Sequence, residues 1–111
     1  IFPPIACQSY VAFNFYVASQ FPAGRLAVAA VLEGIGARYA KAYATKAVGL
    51  LKIDPSSLKF SFGHGDTDVG HVEEIHELLS KENFSEREYE WMIHCASTGG
   101  TLYRGMFDAI Y

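Results

Sequence analysis

Residues 23–52 read AGRLAVAAVLEGIGARYAKAYATKAVGLLK, a run dominated by Ala, Leu and other good helix formers with no proline. The run predicts one long helix. At about 100° per residue, Leu26, Ala29, Ala30, Ala37, Ala40, Ala44 and Leu51 share a face, with Arg38 and Lys46 opposite. Glu33 falls in the middle of that small-residue face. Burying a carboxylate there is expensive unless something satisfies its charge. Small neighbours also let a second helix approach closely. This one segment therefore predicts helix-on-helix packing around an acid.

The flanking sequence extends the same pattern. Upstream, residues 8–20 read as a first helix, stopped at Phe21-Pro22 because the residue before proline avoids the helical region. Its aromatics (Tyr10, Phe13, Phe15, Tyr16) lie on several sides, which predicts burial on more than one face. Downstream, Asp54-Pro55 closes the long helix. A third helix starts between Ser56 and Asp66, where Gly63 and Gly65 blur its beginning, and runs to about Ser80. Ser85-Glu86-Arg87-Glu88 has capping-box spacing and opens a fourth helix, which passes Trp91, Cys95, Thr98, Leu102 and Met106 at helical intervals. Gly99-Gly100 weakens its middle and is expected to bend it. No strand alternation, hairpin signal or internal repeat interrupts this reading. The expected fold is an all-α helical bundle of about four helices in one domain, residues 1–111.

The third helix carries the chemistry. His64, Asp68 and His71 fall within roughly a 60° arc, extended by Ile75, Leu78 and Leu79, while Glu73 and Glu77 point nearly the opposite way. Two histidines and an aspartate are thus expected on the apolar, inward side, with Asp66 directed elsewhere. A divalent metal between this helix and Glu33 would offset the cost of burying all four groups. Oxygen and imidazole donors suit iron or manganese better than a structural zinc, which favours thiolates. Carboxylates and histidines projecting into a helical bundle form the di-iron architecture. The expected metal ligands are Glu33, His64, Asp68 and His71. His76 lies about 120° from the ligand arc, and His94 is expected to pack beside Trp91. Cys95 has no base or metal partner in its sequence neighbourhood and reads as an inert buried thiol. Gly34 and Gly36 signal either close helix packing or open space near Glu33.

Composition narrows the function classes. Half of the 111 residues are apolar, enough for a core and far from the composition of a disordered chain. The net charge is -3 and no basic patch stands out, so the sequence offers no electrostatic support for nucleic-acid binding. The two cysteines, Cys7 and Cys95, form no CxxC and no disulfide framework, which fits a reducing, cytoplasmic setting. Charges at Arg25, Glu33, Arg38, Lys41 and Lys46 exclude a membrane span in the long helix, and the apolar run near residues 11–19 is too short for one.

The block Gly63-His64-Gly65-Asp66-Thr67-Asp68-Val69-Gly70-His71-Val72, preceded by Glu33, resembles the heme-oxygenase-like non-heme di-iron oxidases and oxygenases. These include the CADD-like proteins, the decarboxylating fatty-acid oxidases and amino-acid-cleaving relatives, in the superfamily that also holds TenA and the PQQ-synthesis oxidase. The family pattern is Glu-x(6)-His on an early helix, then a Glu, then His-x(3)-Asp-x(2)-His. Its second half matches at Glu33, His64, Asp68 and His71, within a resemblance that covers residues 9–111. The early Glu-x(6)-His has no counterpart: Glu33 is the only acid before Asp54, and no histidine precedes His64. The chain opens on Ile1, so the resemblance places that helix upstream and makes this chain the C-terminal portion of a larger heme-oxygenase-like domain. It implies ferrous iron, mononuclear or dinuclear, with manganese as the alternative, together with O2 and a small organic substrate. A homodimer is expected, because a half-bundle leaves apolar surface open. The competing expectation is a helical module that keeps the ligands without turnover. Heme oxygenase chemistry would need an early histidine, and the TenA type does not need His-x(3)-Asp-x(2)-His.

Overall fold

The computed structural model describes residues 2–109, and these are helical nearly throughout, with no strand among them. Helix α1 spans Ile5–Gln20, α2 Pro22–Ile35, α3 Lys41–Leu51, α4 Lys59–Lys81 and α5 Glu86–Asp108. A π-turn, Gly36–Ala40, joins α2 to α3 without a break, so one continuous helical run covers the predicted 23–52 element. The all-α reading holds, as does the number of major helical runs.

Local chemistry explains the boundaries. Phe21, held before Pro22, leaves helical geometry and ends α1. Lys52 takes a left-handed conformation, φ 53°, and ends α3. Asp54 accepts from the Ser56 amide at 2.7 Å, and a 3-10 turn, Pro55–Leu58, leads into α4. Gly63 and Gly65 lie inside α4 rather than before it. The capping box is present: Glu88 N donates to Ser85 Oγ, and Ser85 N donates to Glu88 Oε2 at 2.7 Å. Helix α5 runs on through Gly99-Gly100. Among the described residues, no helix is long and apolar enough to cross a membrane.

The chain divides into two compact units: Ile1–Val31 with Asn83–Tyr111, and Leu32–Glu82. In the first, α1 meets α5 through Tyr10 and Tyr103, ring centroids 5.8 Å apart. Helix α2 lies close to α5 because Gly24 faces Cys95 and Gly99 faces Val28, where a Cβ on either glycine would press on its neighbour. Val17, Ala27, Val28, Met92 and Cys95 form the buried core. Val28 is fully enclosed, so Val28→Ala should cost about 2 kcal/mol, the methyls lost plus a cavity; thermal or urea unfolding measures it.

Three expectations about faces need correction. Helix α1 is not buried on several sides. Only Val17 is buried, while Val11, Phe15 and Tyr16 are exposed, because the unit supplies a partner for a single stripe of this helix. On α5, Trp91 lies at the edge of the buried stripe and Met92 takes the inward place. The face expected along 23–52 is not continuous either. Gly24, Ala27 and Val28 are the buried residues of α2, Ala44 that of α3, and Leu51 is exposed. Upstream, packing against α5 decides the buried side, with Gly24 against Cys95 and Val28 against Gly99; further along, the π-turn changes the register. One extra residue in a turn rotates everything downstream by about 100° relative to a straight helix.

Candidate metal centre

The second unit builds the site from α4 and the helical run facing it. Helix α4 buries Gly65, Asp68 and Ile75, at three- and seven-residue intervals, which makes one stripe. Gly65 lets the α3 backbone at Lys41 come close, and an exposed Lys41–Asp66 ion pair, 2.9 Å, borders the contact. Asp68 is thereby carried into the interior. It is the one buried charged residue among those described, 3% exposed.

Gly36 makes room for that carboxylate. A Cβ on Gly36 would overlap the Asp68 side chain, whereas one on Gly34 would meet nothing. Of the two glycines flagged by sequence, Gly36 is therefore the close-packing position. It also begins the π-turn, a feature that recurs at functional sites.

Glu33, Asp68 and His71 converge, with one ligand atom from each lying within 4.8 Å of the others. His71 Nδ1 donates to Glu33 Oε2 at 3.2 Å and stands 3.7 Å from Asp68 Oδ1, beyond hydrogen bonding. Asp68 Oδ1 is buried and accepts no hydrogen bond. Burial raises the Asp68 pKa above the usual carboxylate value, and the adjacent Glu33 carboxylate raises it further; His64 and His71 pull the other way, less strongly. The site thus concentrates negative charge and leaves an oxygen lone pair unanswered.

The residues fit a metal ion. Ligands about 2.1 Å from a common ion in octahedral positions lie roughly 3 Å apart along an edge. The 3.2 and 3.7 Å separations at His71 Nδ1 are close to that edge. Two carboxylates and an imidazole make a hard-to-borderline set suited to ferrous or manganous ions.

His64 is placed differently. It sits one turn before Asp68, exposed, with Nδ1 donating to Phe60 O at 3.0 Å and its ring stacked on Phe60 at 3.9 Å between centroids. A carbonyl only accepts, so Nδ1 carries the hydrogen and Nε2 keeps its lone pair, the tautomer in which second-shell bonds hold a histidine ligand. The expectation that both histidines lie inward needs correction. Gly65, Asp68 and Ile75 define the inward direction of α4, and His64 and His71 both lie along one edge of it, exposed. His76 is exposed, and His94 meets the Trp91 ring edge-on at 5.9 Å. Cys95 is buried, which pushes its thiol pKa up. Sequence reasoning missed the π-turn and the fit between Gly36 and Asp68; the Gly-Ile-Gly step after Glu33 was the available signal.

Compared with protein-family models, with curated proteins and with solved structures, the chain matches none, so the reading of this centre rests on its own geometry.

Proposed function

We propose that Glu33, Asp68 and His71 hold a ferrous ion and that the protein is a non-heme iron oxidoreductase that uses O2 on a small organic substrate. The observation that carries the metal assignment is the buried, unanswered Asp68 carboxylate beside Glu33 and His71. The resemblance of His64-x(3)-Asp68-x(2)-His71 and Glu33 to the heme-oxygenase-like iron oxidases supplies the oxygen chemistry.

An iron ion held by these residues would supply redox chemistry toward O2, with the organic substrate providing the remaining electrons. The chain's own groups do the rest. Glu33 and Asp68 balance the cation's charge. His71 Nδ1, which donates to Glu33 in the metal-free chain, would turn its lone pair to the ion in the tautomer that carries the hydrogen on Nε2, and protons would compete with the ion for the carboxylate and imidazole lone pairs, so binding weakens at low pH. His64, with Nδ1 tied to Phe60 O, has Nε2 free to join after a side-chain rotation.

The exposed, Phe60-stacked position of His64 favours a second reading, a helical module that holds metal without turnover. Oxygen uptake separates the two. Protein loaded anaerobically with ferrous iron and then exposed to O2 should consume it faster than His71→Ala under the same loading. Equal rates in both proteins, with iron retained by the wild type, would establish the non-catalytic module.

A further inference from the structure

We propose that a cleft of about 370 Å3 in the first unit is a binding site for a small aromatic carboxylate. Its residues all belong to that unit, and the proposal does not depend on the metal centre. The volume lies within the range of small-molecule sites.

The walls are aromatic. Tyr16 comes from α1, Phe21 from the corner between α1 and α2, and Trp91 from α5. Tyr16 is 57% exposed and Trp91 45%, large rings left open at the cleft. Among the described residues Tyr16 and Phe21 have no ring partner, and Trp91 meets only the edge of His94. The floor is closed by the buried Val17 and Cys95. A flat apolar body entering here would gain ring contacts that the chain itself does not supply.

The charge at the rim selects the other end of the ligand. Two charged side chains, Arg87 and Glu88, line the cleft beside its aromatic walls. Glu88 is already engaged: Ser85 N and Ser85 Oγ each donate to its Oε2 at 2.7 Å, and those bonds hold its carboxyl below the usual range. Arg87 has no ion-pair or side-chain hydrogen-bond partner among the described residues. Glu88 stays negative, but its Oε2 is already occupied by two donors, so the unengaged polar group at the rim is the Arg87 guanidinium, which matches a carboxylate through paired N–H bonds. Aromatic walls also suit an ammonium group, but the acceptor it would need, Glu88 Oε2, is taken and Arg87 stands beside it.

Trp91 is the only tryptophan and reports on the site directly. The test titrates the full chain with 3-phenylpropionate, with 3-phenylpropionamide, which keeps the shape without the charge, and with 3-phenylpropylammonium, following Trp91 emission and heat of binding. The expected result is saturable binding of the carboxylate, weakened at least about tenfold in the amide and in Arg87→Gln, the loss of one charge-assisted contact. Tyr16→Ala, another surface change, should weaken it several-fold. Unaltered unfolding curves for both variants keep these losses attributable to the cleft. The proposal is overturned if the carboxylate shows no saturable binding, if amide and carboxylate bind alike, if the ammonium binds best, or if Arg87→Gln binds as the wild type does.

Discussion

Replacing Asp68 by Asn will strengthen the metal-free fold and remove metal binding. The wild-type carboxyl is buried, lacks a hydrogen bond to Oδ1 and sits beside Glu33. Its folded-state pKa is therefore raised above its unfolded value. Between those two values the folded chain holds a proton that the unfolded chain has released. Stability of the metal-free wild type accordingly falls as pH rises through that window, and the deficit is complete above the folded-state pKa. Asparagine carries no ionising group, so the variant should show no such fall from this site. Relief on the order of 1 kcal/mol or more at neutral pH corresponds to a Tm increase of about 4–8 °C for each kcal/mol. Ferrous affinity should drop more than about 100-fold, since even outer-shell changes cost 10–100-fold. Melting curves across pH, with and without ferrous iron, measure both effects. A wild type that gains stability as pH rises from the carboxylate range, with Asp68→Asn no more stable at neutral pH, would contradict the account of this carboxylate.

The second large effect is expected at Gly36. Alanine is the better helix former by about 1 kcal/mol. At Gly36, however, the new methyl would overlap the Asp68 carboxylate. The carboxylate or the helix must move, at about 1–3 kcal/mol for overpacking, which exceeds the propensity gain. Gly36→Ala should therefore lower Tm and weaken metal binding about 10–100-fold by displacing a ligand, in the manner of a lost supporting contact. Gly34→Ala is the matched control. Nothing stands where its Cβ would go, so it should add about 0.5–1 kcal/mol and leave metal binding intact. If the two variants behave alike in metal titration, Gly36 does not seat Asp68.

Much of this molecule was legible in its sequence where the signals are local. Phe21-Pro22 marked the end of α1, Ser85 and Glu88 marked the start of α5, and the Ala-rich run marked a long helix. That Asp68 and His71 share a side of α4 was also legible, because an interval of three residues places groups on one side of a helix whatever packs there, and Glu33 stood out as a lone acid among small residues. What failed was whatever depends on partners. The aromatics of α1 resemble core residues, yet only one stripe of that helix finds a neighbour. A uniform 100° step cannot anticipate the π-turn at Gly36–Ala40, which packs against α4, nor that Leu51, on the same side as the buried Ala44, is exposed at the end of α3. The same limit applies to His64. Periodicity places it within the arc, but the ring stacks on Phe60, four residues earlier.

The most direct test of the central claim is metal content after anaerobic loading with ferrous iron and removal of excess, compared among wild type, Asp68→Asn, His71→Ala and Glu33→Gln. The account predicts stoichiometric iron in the wild type and little in any of the three variants, each still helical by circular dichroism. Iron absent from the wild type, or retained equally by all four proteins, would contradict the assignment of Glu33, Asp68 and His71 as a metal centre.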